Sequence, residues 1–204
     1  MLEELQKTSG VEEEKWAAVP RIIQGDWLTV QNIRAARKDR ADDVDSMERV
    51  EYVDELSALW HYALNATHMT TRVHFGNAML DPGSLAKHKG LLNRNWDVAK
   101  PNYADAKALI RHSLIARILY SVLLQTGLRR WSDLANWKPT VSDLGDFARD
   151  FVNEYTSTRM AKKTTAQHDD YWAHSIYFIR DALVFCVFEQ AISEADAGPV
   201  LRVL

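Results

Sequence analysis

"YADAKALIRHSLIARILYSVLLQTG" (residues 103–127) decides the fold class of this 204-residue chain. Leu109, Ile110, Leu114, Ile118, Val122 and Leu123 recur at helical spacing and form one broad apolar stripe. The spacing predicts a helix over Tyr103–Gln125, with Gly127 placed as its C-terminal cap. Such a stripe has to be buried against another element. The partner it calls for lies at the far end of the chain. There a helix over about Asp170–Ala195 is apolar on most of its circumference between Ile176 and Phe188, which places it at the centre of a core. The run "ALVFCVF" taken alone also fits a buried strand.

Between these two, Pro139–Thr158 reads as a helix with Val141, Leu144, Phe147, Phe151 and Tyr155 on one face. "LRRWSDLANWKP" reads as a connector or short helix and "RMAKKTTAQHDD" as a polar loop. On the N-terminal side, "LDPGSL" is a turn in which Ser84 caps a short helix, and "NRNWDVAKPN" is a break. Met47–His68 is expected to be one helix capped by Asp45 or Ser46, because Val50, Val53, Leu56, Ala63 and Leu64 fall at helical spacing. A further helix is expected from Thr29, and Gly25 ends a short β-prone stretch opened by Pro20. Residues 1–18 form a weakly ordered acidic lead-in, and 19–204 a single helical domain. The expected fold is mainly α, a multi-helix bundle with at most a small β element near residues 21–25. A degenerate ribonuclease H-like α/β remnant is the alternative.

Composition narrows the function classes. At 47% hydrophobic, with seven Trp, seven Tyr and six Phe, the chain has the side chains a packed core needs and is not disordered. Its net charge of −3 gives no global footprint for nucleic acid, so such binding needs a local patch. No apolar run is read as reaching the roughly 18 residues of a membrane span. The N-terminus lacks the pattern of a targeting peptide. The single Cys186 lies in an apolar run as a small hydrophobe, which suits a reducing, intracellular compartment, cytoplasmic or nuclear.

His61, His68 and His74 invite a metal reading, but His61 and His68 stand two helical turns apart. That is about 10 Å, too far for two ligands of one zinc. Asp170 and His174 form an i, i+4 pair of structural type. No phosphate-binding glycine motif is present. Arg34, Arg37, Lys38 and Arg40 are the candidate nucleic-acid contacts. The interleaved Asp39, Asp42, Asp43 and Asp45 favour a salt-bridged face instead. Asp26, directly after a short apolar stretch, sits where metal-dependent nucleases place a carboxylate for Mg²⁺ or Mn²⁺. It is equally placed to cap the following helix.

"GDWLTVQNIRAARKDRADD", "LWHYALN", "DPGSLAKHKGLLNR", "YADAKALIRHSLIARIL" and "FIRDALVFCVFEQAISEADAGPVLRVL" occur in that order. Together they resemble a fungal, mobile-element-like family, domain of unknown function 6589. The resemblance covers about residues 20–204. Its Gly-Asp-Gln-Leu-Thr motif matches here with Trp27 in place of Gln, and its Phe-His motif with Trp60 before His61. The turn in "EADAGPV" departs from the family pattern. The resemblance implies a shortened member in which no strand ahead of Gly25 supplies a first carboxylate. It leaves Asp26 and His61 as the catalytic candidates and Asp26 as the metal candidate, with no cofactor unless the nuclease-like alternative holds. The function expected is a non-catalytic helical domain derived from a transposase-like protein. The alternatives are a nucleic-acid-binding module or degenerate nuclease core, and a protein-interaction domain with Trp16, Trp96, Trp131 and Trp137 as its anchors.

Overall fold

A computed structural model describes residues 2–194 and 196–203. The chain divides into two compact units, Met1–Tyr62 and Ala63–Leu204.

The first unit opens with α1 (Leu2–Ser9) and α2 (Glu13–Ala17), then β1 (Arg21–Gly25), α3 (Trp27–Asp39) and β2 (Val53–Ser57). The two strands pair in parallel, Arg21 beside Val53 through Gly25 beside Ser57. Parallel neighbours need a crossover, which α3 supplies. Arg21, Ile23, Val53 and Glu55 share the face turned to α3, while Ile22 and Leu56 point away and are exposed. Val50, Tyr52 and Val53 form the small core, with Trp16, Ile23, Ile33 and Met47 packed on it. The expected helix over Met47–His68 is corrected here. Its first half is a turn and strand β2, and only the part from Leu59 is helical, in α4 (Leu59–Val73). Asp45 still caps, accepting from the Glu48 N–H at 2.8 Å, but it caps a turn. The helical spacing of Val50, Val53 and Leu56 loses to strand pairing with β1, a non-local interaction that no local window contains.

The second unit holds the rest of α4, then α5 (Leu85–Leu91), α6 (Tyr103–Thr126), α7 (Trp131–Leu134) and α8 (Val141–Tyr155). It ends with α9 (Thr158–Ala166), α10 (Asp170–Glu194) and α11 (Ala197–Val203). With eleven helices and one two-stranded sheet among the described residues, the protein is mainly α. α6 and α10 supply Leu109, Ile110, Leu114, Phe178, Ile179 and Phe185 to the main core. From α8, Phe147, Phe151 and Tyr155 form an aromatic ladder with ring spacings of 5.8 and 5.1 Å. Gly127 caps α6 as expected, and two further caps come with it. Asn102 accepts from the Asp105 N–H, Gly127 closes α6 in the left-handed region, and Thr140 and Asp143 form a capping box on α8.

Three expectations need adjustment. "RMAKKTTA" is helix α9, not loop, because Ala161 and Thr164 bury against α10 with so little apolar area that the stripe is hard to read. The expected end of α10 at Ala195 lies outside the described residues. α6 is long and apolar enough, by length and composition, to cross a membrane, against the reading that no run is. Here its Leu109, Ile110 and Leu114 are buried in the main core.

Candidate functional site

The second unit contains a polar cleft of about 380 Å³ built at the junction of the turn after α4, the turn before α5, and α6 and α10. The first residue past α4, His74, still donates its N–H to Thr70 and accepts from Leu85 through its carbonyl. Phe75 likewise accepts from Ala86, so this turn is laid along the start of α5. The approach requires Gly76: its φ is +65°, and a Cβ there would fall 2.7 Å from the Cβ of Ser84. Asp81 holds the next turn by accepting from the Gly83 N–H at 2.8 Å. Ser84 caps α5 by accepting from the Lys87 N–H at 3.2 Å.

On these turns converge side chains from two long helices. Arg117 of α6 donates from Nε to Ser175 Oγ at 2.9 Å, from Nη1 to the Ser113 carbonyl at 3.1 Å, and from Nη2 to the Gly83 carbonyl. Its guanidinium lies 4.2 Å from the Phe178 ring centre. Burial pulls its pKa down to about 10, with Asp81 acting the other way, so the group stays cationic at neutral pH. Among the described residues no carboxylate comes within 4 Å of it.

Opposite, Asp181 accepts from His74 Nε2 at 2.9 Å and from Arg180 at 2.8 Å. Burial pushes the Asp181 carboxyl up, but the His74 and Arg180 hydrogen bonds outweigh it and hold the pKa below the ordinary carboxylate value. With a carboxylate facing Nε2, that nitrogen of His74 is the donor in the pair. Phe178 meets both His74 and Arg117, edge-on to the first at 5.4 Å. The cleft therefore joins a half-buried cation, a carboxylate–imidazole pair, a second arginine and Asp81 beside the Phe178 ring. Chemically it can accept hydrogen-bond acceptors and negative charge.

Of the residues singled out from the sequence, His74, Ser84 and His174 line this cleft, while the catalytic, metal and nucleic-acid candidates belong to the first unit. Asp26 is the N-cap of α3: Thr29 donates to its Oδ1 from both N–H and hydroxyl, each at 2.7 Å. These two bonds, the backbone one first, hold the Asp26 pKa below the usual carboxylate value. His61 stands edge-on to Trp60 at 4.8 Å. Among the described residues no three His, Cys, Asp or Glu side chains group as a metal ligand set. Arg34 and Arg37 both close on Glu55, at 2.8 and 2.9 Å, and Arg40 reaches Glu3 at 3.9 Å. The basic face is thus largely paired within its own unit. Cys186 is half-buried, and burial raises its pKa. Of the tryptophans, Trp131 is exposed, as are Trp27 and Trp60, while Trp16, Trp96 and Trp137 are half-buried.

Sequence reasoning missed Arg117, Arg180 and Asp181. The one available signal was charge inside apolar helices: an arginine in the α6 stripe and an Arg-Asp pair heading the α10 run. A family model described as "Family of unknown function (DUF6589)" matches residues 1–204. No curated protein and no solved structure matches the chain.

Proposed function

The chain belongs to the family of unknown function DUF6589, and on that premise we propose that it is a non-catalytic binding module that holds a small anionic group, phosphate or carboxylate, in the cleft at Arg117. One observation carries this reading: a half-buried guanidinium lines the cleft with three of its N–H groups committed to neutral acceptors and no carboxylate within 4 Å, Asp81 acting on it only from beyond that distance. An arginine has five such donors, so two remain for a ligand. An anion there gives a direct partner to a half-buried charge that Asp81 reaches only at longer range. The cleft's serines support binding over turnover, since Ser84 is spent capping α5 and Ser175 accepts from Arg117. The ordered motifs from "GDWLT" to "FIRDALV" support descent from a mobile-element protein, and the lone half-buried cysteine an intracellular setting.

The test is titration of the full chain with inorganic phosphate and with acetate, up to about 50 mM, followed by NMR of cleft residues. Perturbed signals from the cleft residues are expected. Arg117→Lys, which keeps the charge but loses the planar fork, should weaken binding about tenfold. No perturbation, or unchanged affinity in folded Arg117→Lys, overturns the anion site. Divalent-metal-dependent cleavage of DNA or RNA that Asp26→Asn abolishes overturns the non-catalytic reading.

A further inference from the structure

The cleft of the second unit is lined by two arginines and two aspartates, so with its histidines neutral the lining carries no net charge. These charges are unevenly paired. Asp181 and Arg180 close on each other at 2.8 Å, and Asp181 also faces His74. Asp81 and Arg117 do not meet, and among the described residues neither has an opposite charge within 4 Å. The backbone of Gly83 holds them apart: its N–H donates to Asp81 Oδ1 at 2.8 Å, and its carbonyl accepts from Arg117 Nη2. A Cβ on Gly83 would lie 3.3 Å from Asp81 Oδ1 and 3.7 Å from Arg117 Nη2, so both charges flank the space this glycine leaves open. Asp81 Oδ2 takes no hydrogen bond among the described residues, and it stands 3.6 Å from where a Cβ of Gly76 would fall.

We infer that the ligand of this cleft is a free α-amino acid, with its carboxylate on Arg117 and its ammonium on Asp81. The inference rests on the anion reading above and narrows it. A simple anion at Arg117 gains one attraction but also meets the repulsion of Asp81 across Gly83. A phosphate dianion meets more of that repulsion, for the same reason. A zwitterion turns the aspartate into a partner: its ammonium donates to Asp81 while its carboxylate accepts from the free N–H groups of Arg117. The two charges of an α-amino acid are joined through a single α-carbon. That short separation suits a cation and a carboxylate that flank one glycine without touching. A ligand with no net charge also leaves the balance of the lining as it is. The cleft, at about 380 Å³, falls within the roughly 300–1,000 Å³ of small-molecule sites, and Val73 and Phe178 give a side chain apolar surface to lie against.

NMR titrations of the full chain with matched ligands test it: glycine against acetate, and L-phenylalanine against 3-phenylpropionate, which lacks only the ammonium. In each pair the amino acid is expected to bind about tenfold tighter, the scale of one hydrogen bond between charged groups. Asp81→Asn keeps an oxygen for the Gly83 N–H and removes the charge. It should erase the difference within each pair, weakening the amino acids and strengthening the simple carboxylates. Equal affinity within either pair, or a difference that persists in folded Asp81→Asn, overturns the inference. The ligand pairs decide it on the unaltered chain even where the variant does not fold. If the carboxylates bind and the amino acids bind no better, the anion site stands and the zwitterion inference alone falls. If none of the four binds, both fall.

Discussion

A Cβ on Gly25 would fall 2.5 Å from the Cβ of Thr29, and Thr29 is held there by its two hydrogen bonds to Asp26. Gly, Asp and Thr at these positions therefore make one joint: glycine admits the threonine, the aspartate caps α3, and the threonine hydroxyl closes the cap. The most recognisable motif of the chain is a strand-to-helix connection, and its carboxylate is committed to that task. A few residues on, Glu55 shows what the arginine cluster does. Arg34 and then Arg37 hold its carboxyl at about 2, well below its ordinary 4.5. The ionised form is favoured in the folded state, so this stabilisation is complete above about pH 4.5 and disappears as the pH falls toward 2. Glu55→Gln is expected to flatten the acid limb of the first unit's stability across that window. At pH 7 it should cost about 1–2 kcal/mol, a figure reduced for the exposure of Arg34. Thermal melts of both proteins between pH 2 and 7 check it.

Among the elements, α6 and α10 were legible because their apolar residues repeat at 3.6 over many turns, and that signal survives any context. β2 was not, since it is five residues long and enters through Val50, a β-branched residue at φ +58°. Its existence depends on β1, more than twenty residues away. α9 was missed for the opposite reason: the face it buries is made of Ala161 and Thr164, too small to stand out. The pairing of α6 with α10 also depends on a polar contact invisible in either helix alone. Glu189 of α10, 7% exposed, accepts from the Tyr103 hydroxyl and pairs with Lys107, both on α6. Burial, then the Glu189 hydrogen bond, raises the Tyr103 pKa. Glu189→Ala removes the buried carboxylate that pairs with Lys107 and accepts from Tyr103, and should destabilise the second unit by about 2–4 kcal/mol. Glu189→Gln keeps an acceptor for Tyr103 and should cost less. Urea unfolding of the two variants separates these values.

For the whole molecule, the division at Tyr62 and Ala63 predicts that core damage stays local. Leu109→Ala, at a site with no exposure, should cost the second unit about 3 kcal/mol, while the β1–β2 amides keep their hydrogen-exchange protection. Loss of protection in both units together would refute their independence. The sequence by itself determined the mainly α class, the long helices α6, α8 and α10 and the caps Asp26, Ser84 and Gly127, because periodicity and capping are set by residues within a turn or two of each other. Only the tertiary structure decided the cleft. His74, Arg117 and Asp181 are separated by 43 and 64 positions and meet only once α4, α6 and α10 have packed. Chemistry assembled from distant positions leaves no local pattern, since each residue satisfies its own helix or strand whether or not the others arrive.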